Sequence, residues 1–303
     1  MSYSELRQIV PLPELFLIAM RISFTLFALI LMSNVLISQE STSPVNPAGK
    51  GSFYLSWGYN RSYFDYSDIH FAGEGFDFTL EQVSAHDYPS TYETKVYFNP
   101  QKLSIPQFNF RLGYYFKDNW CVSAGWDHMK YKIAQDQKVV IRGYIDESLS
   151  EQYGGVYDGE RIAIDSKFLQ YEHTNGFNFA RVALERRIPV WSWWDGKLAA
   201  SANAGVSAGL IIPWTDMTFL GTNYANWLHV AGGGVSAVLG ARVEFLRYLF
   251  LQFQMQYGYS WMPDIRIQNE APSRADQNIQ FMERSVVLGG YIPVFKGRRA
   301  KKG

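Results

Sequence analysis

The sequence predicts an all-β fold: a transmembrane antiparallel up-and-down β-barrel of eight strands, with long outer loops and short periplasmic turns. Three observations carry this. Long segments alternate apolar and polar residues, tight and long connections alternate between those segments, and one apolar run near the N-terminus has the make-up of an export signal.

That run comes first in the chain. From Ile22 to Ile37 the residues are almost wholly apolar, with Arg21 before them and Ser38-Gln39-Glu40 after. A basic flank, a short apolar stretch and a small residue before a polar stretch describe a secretory signal peptide. A spanning helix needs about 20 apolar residues, more than the run supplies. Met20 directly precedes Arg21, so residues 1–39 read as an upstream extension plus a signal peptide with its apolar region at 22–37. An uncleaved N-terminal anchor is the alternative. Residues 40–50 read as a short linker, 51–295 as the barrel and 296–303 as a basic periplasmic tail.

From Phe53 onward the segments repeat at period two, which gives each strand two different faces. Phe53, Leu55, Trp57 and Tyr59 oppose Ser56, Gly58 and Asn60. Phe108, Phe110, Leu112, Tyr114 and Phe116 oppose Gln107, Asn109, Arg111 and Gly113. Leu198 through Leu210 alternates against Ser201, Asn203, Gly205 and Ser207, and Val235 through Phe245 against Ser236, Gly240, Arg242 and Glu244. Leu249, Leu251, Phe253, Met255, Tyr257, Tyr259 and Trp261 oppose Gln252, Gln254, Gln256, Gly258 and Ser260. Strands of soluble sandwiches are usually about five or six residues long. These are about twice that, close to what a tilted strand needs to cross a membrane. Their apolar faces turn aromatic toward the ends, as lipid-facing girdles do.

Tight connections fall at Lys117–Asn119, Ser192–Gly196 and near Leu246–Tyr248, and long ones at roughly 65–104, 135–165, 213–228 and 266–278. Eight strands result, at about 51–64, 105–117, 119–134, 166–190, 196–212, 229–246, 249–265 and 279–295. The even number puts both ends in the periplasm. The length of 166–190 leaves a ten-strand alternative, split at Asn175–Gly176, and the faces of Ser285–Phe295 are poorly distinguished.

Composition excludes other classes. Lys plus Arg number 28 and Asp plus Glu 28, so a basic nucleic-acid footprint is missing. The single cysteine, Cys121, excludes an internal disulfide and a Cys-based zinc site. The five histidines stand at no metal-ligand spacing, so neither a metal nor another cofactor is expected.

The words F-Y-L-S-W-G-Y-N-R-S-Y-F, S-D-I-H-F, Y-F-K-D-N-W, D-H-M-K-Y, A-Q-D-Q, E-H-T-N-G-F-N and M-P-D-I-R run from about Lys50 to Phe295. In them the chain resembles a group of outer-membrane β-barrel proteins from Bacteroidota. The resemblance implies a barrel in the outer membrane and lends no chemistry. The architecture is also similar to small barrels of the OmpA and OmpW kind.

By parity, Arg111, Arg181, Glu185, Arg187, Arg242 and Glu244 point into the lumen with Gln252, Gln254 and Gln256. A barrel of about eight strands is just wide enough for its own side chains, and buried charges must pair. The set therefore reads as a polar plug, with a gated channel as the alternative. A second candidate is His173-Thr174-Asn175. Small barrels that deacylate lipids set a histidine base two residues before a serine nucleophile on one strand face. Here Asn175 stands in place of that serine and Thr174 falls on the opposite face, so catalysis is not expected. Asp127 to Tyr131 reads as a polar rim at the outer end of the third strand, and Asp146 to Glu160 as a solvated acidic loop. The functional expectation is a non-enzymatic structural or adhesion-type barrel. It would be a monomer in outer-membrane lipid, meeting an extracellular ligand or protein through loops 65–104 and 135–165. A small-solute conduit and a lipid-modifying hydrolase are the alternatives.

Overall fold

Alternation at period two commits each segment to a strand whose faces see different surroundings, and the pairing of those strands fixes the architecture. The computed structural model describes residues 48–97, 105–225, 228–268 and 273–292. The expected signal peptide, most of the linker and the basic tail lie outside the described residues. In chain order the elements are β1 (Phe53–Phe64), β2 (Ser67–Gly73), β3 (Phe76–Val83), β4 (Ala85–Asp87), the short helix α1 (Thr94–Tyr97), β5 (Phe108–Lys117) and β6 (Trp120–Ile133). There follow β7 (Gln137–Ile145), β8 (Gly155–Ile164), β9 (Leu169–Trp193), β10 (Leu198–Pro213) and β11 (Asp216–Phe219). The last are β12 (Thr222–Ala225), β13 (Gly232–Phe245), β14 (Leu249–Arg266) and β15 (Arg274–Ile292).

Strands β1, β5, β6, β9, β10, β13, β14 and β15 pair antiparallel in that order, and β15 pairs back onto β1. The ring closes with eight strands and leaves no edge. Its outer wall carries exposed Leu55, Leu112, Val243, Leu251, Phe253 and Leu288, an apolar band that belongs in lipid.

The ten-strand alternative falls because β9 is not split. At Asn175–Gly176 it bulges: Met129 faces Phe177 whereas Tyr131 faces His173, so β9 spends two more residues there than β6. Gly176 takes a φ of 150°, which suits glycine. A two-residue excess preserves parity, so His173 and Arg181 keep the same face. Prolines 189 and 263 also lie inside strands, each beside a register shift. A bulge leaves a backbone N–H unpaired in any case, so proline costs little there.

The long connections 65–104 and 135–165, expected as loops, are largely folded. Strand β2 pairs β15 and β3, and β3 pairs β7, which pairs β8. Strand β11 pairs the outer end of β9 and also β12. These strands make an outer storey above the barrel. Inward-facing Ile69, Phe78, Leu80 and Ile141 pack with Phe168 and Phe219 in a core that runs down through Tyr131, Phe177 and Phe281 into the barrel mouth. The acidic segment Asp146 to Glu160 divides between the tip of the β7–β8 hairpin and β8 itself.

Inside the barrel, glycines make room for rings lying flat on the wall. A Cβ on Gly289 would stand 2.1 Å from Phe250 Cζ, and one on Gly113 would stand 2.0 Å from Tyr54 Cε1. Gly289→Ala is therefore expected to destabilise the barrel by about 1–3 kcal/mol through overpacking, read as a lower urea midpoint.

Candidate functional site

The lumen is the site where the sequence concentrates charge, and it is built in three layers. Its floor surrounds Arg242. The guanidinium lies 3.9 Å from the Phe250 ring centroid and 5.6 Å from that of Tyr54, cation–π contacts that strengthen where water is excluded. It donates to Tyr291 Oη at 2.7 Å, Tyr115 Oη at 3.3 Å and, through Nε, to Gln252 Oε1 at 2.6 Å. Beside it, Glu244 accepts from Arg187 through both of its oxygens, with Nε–Oε1 at 2.5 Å, and from Tyr291 Oη at 2.7 Å.

The middle layer centres on Asp127, which has no exposed surface. It accepts from Arg111, from Arg181 Nε at 2.7 Å, from Asn109 Nδ2 at 2.5 Å and from Gln256 Nε2 at 3.2 Å. Glu283 lies beside it and accepts from Asn109 at 2.6 Å. Glu185 is held by the hydroxyls of Ser123 and Tyr54 rather than by an arginine. Gln252 donates to Gln254 at 2.8 Å and accepts from Asn203 at 3.2 Å. Across the floor and the middle layer together, four inward arginines among the described residues (Arg111, Arg181, Arg187, Arg242) are matched in number by four carboxylates (Asp127, Glu185, Glu244, Glu283).

The ceiling is apolar. Phe281 meets Phe177 and Phe179 with ring centroids 6.0 and 6.3 Å apart. Ile279, Met262 and Ile211 are buried in the same cluster. The expectation of a lumen polar throughout is corrected here: the inward faces of β9, β14 and β15 turn apolar toward their outer ends. Asp127 is corrected too, from a rim residue to the hub of the interior. Between floor and middle layer lies a cavity of about 20 Å³ lined by Tyr54, Arg111, Arg181, Glu185 and Arg242, room for about one water.

The structure does not assemble His173, Thr174 and Asn175 into one site. His173 is fully buried, its Nδ1 3.1 Å from Thr215 Oγ1 and its ring 6.1 Å from Phe177. Thr174 donates to Glu172 at 2.8 Å and Asn175 to Asp216 at 2.7 Å. Each residue is spent on a separate structural bond. Among the described residues no group of three His, Cys, Asp or Glu side chains is placed to hold a metal ion.

On the outer face of the outer storey, His70 bridges Asp276 at 2.7 Å and Asp77 at 3.0 Å, tying β15, β2 and β3 together. Partial burial opposes its charge, but the bonds to the two carboxylates outweigh burial and raise its pKa. A raised histidine stabilises fully below its unfolded pKa of about 6.5, and that contribution is lost as pH rises through the higher folded value. The hydrogen-exchange protection factor of the β2–β3 hairpin, with the intrinsic rise of exchange with pH divided out, is accordingly expected to fall over that window, and that fall to vanish in His70→Asn.

No protein-family model matches the chain, and no curated protein matches it. Among solved structures it is similar to the outer membrane protein OprG from Pseudomonas aeruginosa at 9% identity, over 83% of this chain and 100% of that one, with a TM-score of 0.41. It is similar to Neisserial surface protein A at 9% identity over 80% and 99%, TM-score 0.33. A third is Ail, the attachment invasion locus protein of Yersinia pestis, at 9% identity over 80% and 99%, TM-score 0.31. The first of these is an outer membrane protein and the second a surface protein. The barrel itself is read from its own closed ring of strand pairings.

Proposed function

We propose that the chain is exported to the outer membrane and sits there as a monomeric barrel with a sealed lumen, working at the cell surface in a structural or adhesion-type role. Membership of the Bacteroidota barrel group that its sequence words resemble belongs to the same reading. The observation that carries it is the filled interior: the aromatic floor, the ionic layer and the apolar ceiling leave only about 20 Å³ between floor and middle. An open conduit would need a continuous wet path instead. The outer storey presents His70, Asp77, Glu81, Arg142 and Asp158 outward from β2, β3, β7 and β8. Such a polar face suits an extracellular ligand or protein and assigns no catalysis. Planar-bilayer recording of the purified protein tests the reading. No stepwise conductance is expected, and reproducible ion steps would replace it with the conduit.

A further inference from the structure

On the outer wall, β1 and β15 set Arg61 directly opposite Arg284. Like charges facing each other on neighbouring strands destabilise a sheet, and cations on a lipid-facing wall cost more the deeper they lie. Their height can be estimated from register. Phe53 pairs Ile292 near the lower end, and Arg61 pairs Arg284 farther up the same two strands. At about 3.3 Å per residue and a tilt of about 40°, the pair stands roughly 20 Å higher. That is near the top of an apolar band about 25 Å tall, where headgroups begin.

Among the described residues neither arginine forms a salt bridge, and Asp87 attracts Arg61 only at longer range. Arg61 donates to the Asn60 carbonyl at 2.9 Å and to Gln107 Oε1 at 3.3 Å. Arg284 donates to Tyr63 Oη at 2.8 Å and lies 4.8 Å from that ring's centroid. Asp87 accepts instead from Gln107 and from the Ser62 N–H at 3.4 Å. The two arginines border an open recess of about 410 Å³ whose other walls include Tyr59, Tyr97, Phe253 and Val286. Two planar guanidinium forks above an apolar wall match a phosphate carried on acyl chains, because the forks bind phosphate bidentately.

We propose that Arg61 and Arg284 together bind the headgroup phosphate of an outer-leaflet lipid. A bridging phosphate turns their mutual repulsion into a shared attraction. The proposal rests on the membrane reading above. The test uses the full chain folded in detergent micelles and follows the temperature at which the fast-migrating, heat-modifiable band is lost. Bisphosphorylated lipid A is expected to raise that midpoint by several degrees, and dephosphorylated lipid A to leave it unchanged. Arg61→Gln/Arg284→Gln loses the rise. Each single variant loses part of it, so the result does not hang on the double variant folding. Arg186→Gln keeps it, since Arg186 sits over Trp120 near the opposite end of the barrel. If millimolar inorganic phosphate reproduces the rise, the site stands with free phosphate as its source; if only lipid A does, the lipid is the ligand. An equal rise in the double variant, or with dephosphorylated lipid A, overturns the site. A wild-type chain that never shows the fast band overturns the membrane reading and the site with it. A heat-modifiable barrel indifferent to lipid A overturns the site alone.

Discussion

Asp127→Ala is expected to lower barrel stability by roughly 3–5 kcal/mol, because removing one partner strands buried charge. The aspartate is the common acceptor for Arg111, Arg181, Asn109 and Gln256. Without it, two guanidiniums face each other in the middle layer, and the carboxylates left near them, Glu283 and Glu185, are already bonded to Asn109 and to the hydroxyls of Tyr54 and Ser123. Glu185→Gln is the informative contrast. Its partners are the hydroxyls of Tyr54 and Ser123, which an amide oxygen can still accept from, so about 1 kcal/mol or less is expected. Urea unfolding of the barrel in lipid compares the two, and equal losses would mean that the Asp127 network does not organise the interior.

Acid is expected to loosen the outer storey through His173. This residue lies beyond the apolar band, where burial pushes its pKa down to about 3. A lowered histidine is neutral in the folded state while the opened chain takes a proton. Stability is therefore unaffected above about pH 6.5 and falls as pH drops from there toward 3, by a total of roughly 4 kcal/mol. His173→Phe should remove that part of the pH dependence and leave the rest, which belongs to the carboxylates. Limited proteolysis of the β9–β11 region at stepped pH reads the difference. Identical profiles in both proteins would contradict the burial of a neutral ring.

The ring of eight strands was legible because its signal is simple: Leu249 to Trp261 outward against Gln252 to Ser260 inward needs only a period of two. The same parity located Arg111, Arg181, Arg187, Arg242 and Glu244. Asp127 escaped because the run D-H-M-K-Y offers no alternation. His128 turns to the outer wall and is buried there, stacked on Phe108 with ring centroids 5.2 Å apart. Glu283 escaped because past Ser285 β15 is apolar on both faces, with Val287 inward and Val286 outward. The outer storey carried a usable signal in Ile69 and Phe71 against Phe76, Phe78 and Leu80 around a Gly-Glu-Gly turn, a hairpin pattern. Nothing in the sequence tells that such a hairpin packs above the barrel mouth, because its partners Phe168 and Phe219 are far away in the chain.

A lipid-facing wall around a sealed interior is tested in both parts by one cysteine scan of β14. With the buried Cys121 replaced by serine, single cysteines are placed from 251 to 256 in the barrel reconstituted in liposomes. Labels at Leu251, Phe253 and Met255 are expected to be quenched by lipid-borne quenchers, and cysteines at Gln252, Gln254 and Gln256 to resist a water-soluble thiol reagent. Rapid aqueous labelling at the even positions would show an open lumen, and loss of lipid quenching at the odd ones would take the wall out of the membrane.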